Sequence, residues 1–163
     1  MSINETIRTD MKTALKKGNK QRLAALRMIR ARLQEAELTL RTKHGADYQI
    51  EDGEALKALT RHAKQLREAI EAYRSGGREE RAVAEQAELD VVKTYLPRRL
   101  EENEVREIVR EAIIASGATS PRQMGTVMKL VMPRVQGSAD GKLVQSLVRE
   151  ELADAADPNT TAS

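Results

Sequence analysis

The chain has 163 residues, with 28 Lys and Arg against 25 Asp and Glu, three Tyr, and no Phe, Trp or Cys. That length suits one domain or two small ones, and the lack of Cys excludes a disulfide scaffold, a Cys-ligated zinc or iron–sulfur centre and thiol catalysis. The longest apolar runs, such as Ala112-Ile113-Ile114-Ala115, are too short to span a membrane, and Met1-Ser2-Ile3-Asn4-Glu5 has no secretory-signal pattern, so a cytoplasmic protein is expected.

Ser2-Ile3-Asn4-Glu5 has the spacing of a capping box and opens a first helix. Ile3, Ile7, Met11, Ala14 and Leu15 fall on one face, and Gly18 stops it in a left-handed turn. A second helix starts near Asn19 with the stripe Leu23, Leu26, Ile29, Leu33, Ala36 and Leu40, and ends near His44-Gly45. Gly45 to Asp52 is polar and reads as a loop. The third helix, with Asp52 as N-cap, carries a regular seam of Leu56, Leu59, Ala63, Leu66, Ile70 and Tyr73, and Ser75-Gly76-Gly77 ends it. The fourth runs from about Arg78 to Tyr95 with Ala84, Ala87, Val91, Val92 and Tyr95 inward, and Pro97 breaks it.

Three shorter helices follow. The first, from about Glu102 to Ser116, turns Val105, Ile108, Val109, Ala112 and Ile113 inward; Gly117 stops it and Leu100 staples its first turn. Ser120-Pro121-Arg122-Gln123 is a specific start signal for the next, which carries Met124, Val127, Met128 and Val131 and closes at Pro133. Ser138 or Asp140 starts the last, with Leu143, Val144, Leu147, Val148 and Leu152 apolar. The expectation is an all-α protein: an N-terminal four-helix subdomain over 1–97, a C-terminal three-helix subdomain over 98–152, and a disordered tail over 153–163.

Charge is unevenly spread. Residues 1–97 hold 19 basic and 15 acidic groups, whereas residues 98–163 hold 9 and 10. Between Lys12 and Arg32 stand eight basic residues and no acid: Lys12, Lys16, Lys17, Lys20, Arg22, Arg27, Arg30 and Arg32. Two readings are open. The stretch is a phosphate-binding hairpin around Gly18, or a solvated face whose partners are acids on the third and fourth helices.

Motifs for chemistry are sparse. His44 and His62 lack metal-ligand spacing, no phosphate-cradling glycine motif occurs, and Glu79-Glu80 and Glu150-Glu151 point apart. No catalytic residue, metal or cofactor is read from the sequence. The scarcity of aromatics argues against a face that stacks bases in series. Gly125, inside Met124-Gly125-Thr126-Val127-Met128-Lys129, costs roughly 1 kcal/mol in a helix interior and points to a close helix or partner approach. The turn Pro133 to Val144 enters a helix whose first N–H groups, with Arg134 and Lys142, form either an anion site or an ordinary capped turn.

The stretches Leu26-Arg27-Met28-Ile29, Glu88 through Tyr95-Leu96-Pro97, Met124-Gly125-Thr126-Val127-Met128-Lys129 and Ala139-Asp140-Gly141-Lys142-Leu143-Val144 resemble the YqeY family, over about residues 2–152. That family is similar to the tail domain of GatB, a subunit of the glutamine-dependent amidotransferase that converts misacylated Glu-tRNA or Asp-tRNA. The resemblance implies an all-helical chain linked to tRNA or RNA metabolism. It also implies an association with carbon–nitrogen ligase chemistry using glutamine as amido-nitrogen donor. Because the transferase and amidase domains are missing, it does not imply catalysis here. The candidate RNA-binding residues are Gly125, Lys129, Arg134, Gly141 and Lys142, supported by Lys16, Lys17, Lys20, Arg27 and Arg30. Relatives often carry Lys or Arg where this chain has Gln136 and Ser138, which removes cations from that turn. The alternative is an adapter that offers a protein partner in the translation or amidotransferase machinery the Met-rich face of Met124, Met128 and Met132.

Overall fold

Ser2 begins the fold as read. Its Oγ accepts from the Glu5 N–H at 3.2 Å and its own N–H donates to Glu5 Oε2 at 2.8 Å, which closes the capping box of α1 (Ile3–Lys16). The computed structural model describes residues 1–157. After α1 come α2 (Lys20–His44), α3 (Asp52–Ser75), α4 (Glu79–Lys93), α5 (Glu102–Ser116), a single 3-10 turn (Pro121–Gln123), α6 (Met124–Val135) and α7 (Gly141–Ala156). No strand occurs among the described residues. The chain divides into two compact units, Met1–Pro97 and the residues from Arg98 onward, each with its own core.

In the first unit α1 and α2 fold back on each other about Gly18, and α3 and α4 about Gly77. Both glycines stand at φ near +65° to +70°, where a Cβ would be strained. Ile7, Leu26, Ile29, Leu33, Leu59 and Val92 are wholly buried between the two hairpins. Each such side chain contributes about 1.5–3 kcal/mol of transfer free energy. In the second unit Val105, Val109, Val127, Val131, Leu147 and Leu152 form the equivalent core.

Several elements depart from the sequence reading. Leu15 is 65% exposed, because α1 turns only Ile7 and Ala14 fully inward. The α3 seam uses Ala55 in place of Leu56 at its first turn. Asp52 is not the α3 cap; Glu51 holds that position, and Asp52 Oδ1 instead accepts from the Ile3 N–H at 2.9 Å, capping the neighbouring α1. On α4 the buried residues are Ala82, Leu89 and Val92, while Ala84 is exposed. Alanine is too small to dictate which face turns inward, whereas Leu89 gains far more from burial.

The loop before α3 is better ordered than its polarity implied. Ile50 is buried, its N–H donates to Glu37 Oε2 at 2.9 Å, and Arg41 donates to the Tyr48 carbonyl at 3.1 Å. Pro133 does not close α6; the helix runs on to Val135. Val127, Val131 and Val135 form an i, i+4, i+8 stripe with no exposure, so burial of Val135 carries the last turn past the proline. Residues 153–156, expected in a disordered tail, are the last turn of α7, which continues through Ala156. Residues 158–163 of that expected tail lie outside the described residues.

Candidate nucleic-acid interface

The turn between α1 and α2 is built by local rules. The Asn19 N–H donates to the Ala14 carbonyl at 2.9 Å across Gly18, and Asn19 Oδ1 accepts from the Arg22 N–H at 3.0 Å as the N-cap of α2. The first turn of α2 holds no acidic residue but does hold Lys20 and Arg22. Cations at a helix N-terminus add to the positive end of its dipole instead of neutralising it. The C-terminus of α1 meets the same turn and offsets that dipole, so the positive charge here is that of the side chains Lys16, Lys17, Lys20 and Arg22.

Few of these charges are compensated. Arg22 lies 3.8 Å from Asp10, and Arg32 lies 2.9 Å from Glu35. Among the described residues, Lys12, Lys16, Lys17, Lys20, Arg27 and Arg30 form no ion pair. All are exposed except Arg30, which is half-buried. Three acids of α3 and α4 are engaged elsewhere: Glu54 with Lys57, Glu79 with Arg74, and Glu88 with His62. The reading in which those acids neutralise the basic stretch is not what the structure has.

Behind the hairpin, the Tyr95 hydroxyl donates to Asp10, the carboxylate that faces Arg22. Burial, and then the Asp10 carboxylate, push this phenol far above its ordinary range. Nothing in the local sequence signals a bond between residues 85 positions apart.

The second group of candidates belongs to the second unit. Lys129 and Lys142 are exposed and form no ion pair among the described residues. Arg134 donates to Glu111 at 2.7 Å. The entry to α7 is less open to anions than the sequence implied: Asp140 caps it, and its Oδ1 already accepts from the Lys142 N–H at 3.1 Å. Gly125 is exposed, and a Cβ there would meet nothing within 4 Å. The close approach expected at Gly125 is absent among the described residues. It is the second residue of α6, where the interior penalty for glycine does not apply in full. Gly141 is equally open.

Ser138 is buried, and its carbonyl accepts from the Leu100 N–H at 2.8 Å. It ties the entry of α5 to the turn before α7. The methionine stripe splits: Met124 and Met128 pack against the core, leaving Met132 at the surface.

An ion network that periodicity could not reveal joins α5 to α7. Arg106 meets Glu102, Glu150 and Glu151 at 3.2, 3.1 and 2.9 Å, and Arg110 meets Glu151 at 2.9 Å. Burial pushes the Glu151 carboxyl up, but Arg110 and Arg106 outweigh it and hold it below its usual value. These arginines are consumed internally.

The family model of Yqey-like proteins matches residues 4–152. This chain belongs to the YqeY-like family. It is also 29% identical over 150 residues to a protein of Pyrenophora tritici-repentis (strain Pt-1C-BFP) called altered inheritance of mitochondria protein 41, mitochondrial. That match covers 88% of this chain and 77% of the relative. Among the described residues, no helix of this YqeY-family chain is long and apolar enough to cross a membrane. Nor do they bring together three or more His, Asp or Glu side chains able to hold a metal ion.

Proposed function

We propose that this YqeY-family protein is a non-catalytic accessory protein that binds tRNA or another structured RNA in the cytoplasm. Its main contact is the α1–α2 hairpin. The observation that carries this reading is the set of six cations on one hairpin, Lys12, Lys16, Lys17, Lys20, Arg27 and Arg30, without ion-pair partners among the described residues. Like charges held together without counter-charges repel one another, and a polyanion relieves that repulsion while releasing its own counterions. Lys129 and Lys142 add weaker contacts, and Arg134 contributes only when it leaves Glu111. The resemblance to the tail domain of GatB, whose amidotransferase acts on tRNA, supports tRNA as the RNA, with amide-transfer chemistry supplied by other chains.

The test is tRNA binding by the purified chain at low and moderate salt. Affinity should fall steeply with salt, drop strongly in Lys16→Ala/Lys17→Ala and fall less in Arg134→Ala/Lys142→Ala. Absence of binding even at low salt would overturn the reading.

A further inference from the structure

We infer that the α1–α2 hairpin engages the sugar–phosphate backbone of base-paired RNA and not unpaired strands. This rests on the RNA reading above and narrows it to one class of ligand. The first argument is the absence of stacking surfaces. Proteins that hold unpaired strands place bases against aromatic rings, each worth about 1–3 kcal/mol. No Tyr, Phe or Trp occurs before Tyr48, so the hairpin has none. The three tyrosines are also engaged: Tyr48 stacks on His44 at 4.8 Å, Tyr73 lies under Arg81 at 5.9 Å, and half-buried Tyr95 donates to Asp10.

The second argument is rigidity. Five of the six cations sit on two helices and Lys17 is one of the three residues that join them, in a turn fixed by the Ala14 carbonyl and the Asn19 cap. Lys12 and Lys16 are one turn apart. Lys20 and Arg27 share a face of α2 about 10 Å apart along the axis. Between them Ala24 is exposed and small, so the helix itself can come close to a backbone. Cations anchored at fixed backbone positions suit the regular phosphates of a duplex, whose deep, narrow major groove hides base edges from side chains. A flexible strand would have to lose conformational freedom to match the array, without stacking to compensate.

The test uses the full-length protein with a blunt RNA duplex, one of its strands chosen not to self-pair, and vesicles of phosphatidylserine and phosphatidylcholine. Duplex should bind at least about tenfold tighter than strand, roughly one stacked base that this surface cannot offer. The salt slope for duplex should become shallower by roughly one to two in Lys16→Ala/Lys17→Ala, about one for each phosphate that is no longer neutralised. Equal or tighter binding of the strand overturns this inference and leaves RNA binding standing. Failure of both RNAs at low salt overturns the RNA reading and this inference with it. Capture by vesicles without duplex binding would assign the hairpin to a lipid surface and also overturn it. Thermal melts of the variants should match the parent, because the mutated side chains are exposed.

Discussion

Glu88 Oε1 lies 2.7 Å from His62 Nε2, and His62 is 95% buried, with no hydrogen-bond partner at Nδ1 among the described residues. A buried ring with one unpaired nitrogen leans heavily on its other bond. Glu88→Ala should therefore destabilise the protein by about 1–3 kcal/mol, the cost of leaving a buried polar group unsatisfied. Replacing both residues, in His62→Leu/Glu88→Leu, removes the polar groups together and should cost less than the single change. Urea denaturation of the two variants decides the order; a double variant worse than Glu88→Ala would show that the pair stabilises beyond mutual satisfaction.

Asp52 caps a helix other than its own. Asp52→Ala should lower stability by about 0.5–2 kcal/mol, within the range for loss of an N-cap. The effect should appear as faster amide exchange in the first turn of α1, with the start of α3 little changed. If exchange rises at α3 instead, the Asp52–Ile3 bond is not the active contact.

Lys20 places stability and binding in opposition. A carboxylate in the first turn of α2 suits the helix dipole, so Lys20→Glu should stabilise the fold by about 0.3–1 kcal/mol while weakening RNA binding. A melt paired with a binding titration tests both signs at once. Stronger RNA binding by this variant would remove the hairpin from the interface.

Arg134 is held by Glu111 at an exposed site. Glu111→Ala should change stability by no more than about 0.5 kcal/mol, as exposed ion pairs contribute little. It should also tighten RNA binding about two- to fivefold, the worth of one freed charge of about 0.5–1 kcal/mol. Unchanged affinity would mean that Arg134 does not touch the RNA.

Acid should weaken the second unit. Hydrogen bonds from Arg98 and then from the Glu101 N–H lower the Glu104 carboxyl from 4.5 to about 2. The Glu151 carboxyl is also lowered, by arginines that outweigh its burial. Both groups bind protons more weakly when folded, so their contribution is complete above about pH 4.5 and is lost as pH falls toward their folded values. The parent's melting temperature should drop over that interval, and Glu151→Gln should show a lower plateau with a shallower acid limb. Equal limbs in the two proteins would exclude Glu151 as a contributor.

The seven helices of the described residues and their glycine stops were legible because they depend on neighbours in sequence. The proline stops were not, since α4 ends at Lys93 before Pro97 and α6 runs past Pro133. Ser2 with Glu5, Gly18, Gly77, Gly117 and Ser120-Pro121 each act within one turn of the backbone. Large buried aliphatics such as Ile29, Leu33, Leu59 and Leu66 were legible from spacing alone. The cluster of cations around Gly18 was equally plain, as a count.

Whether those cations stand without partners was a tertiary decision, because it depended on where the acids of α3 and α4 were spent. Tertiary packing also made Asp52 a cap for α1, drew Glu88 to His62 and carried α6 past Pro133. The physical reason is shared. Local backbone rules select the element, but a side chain is committed only when a partner distant in sequence arrives within reach of a hydrogen bond or a packed surface, and periodicity along the chain contains no record of that meeting.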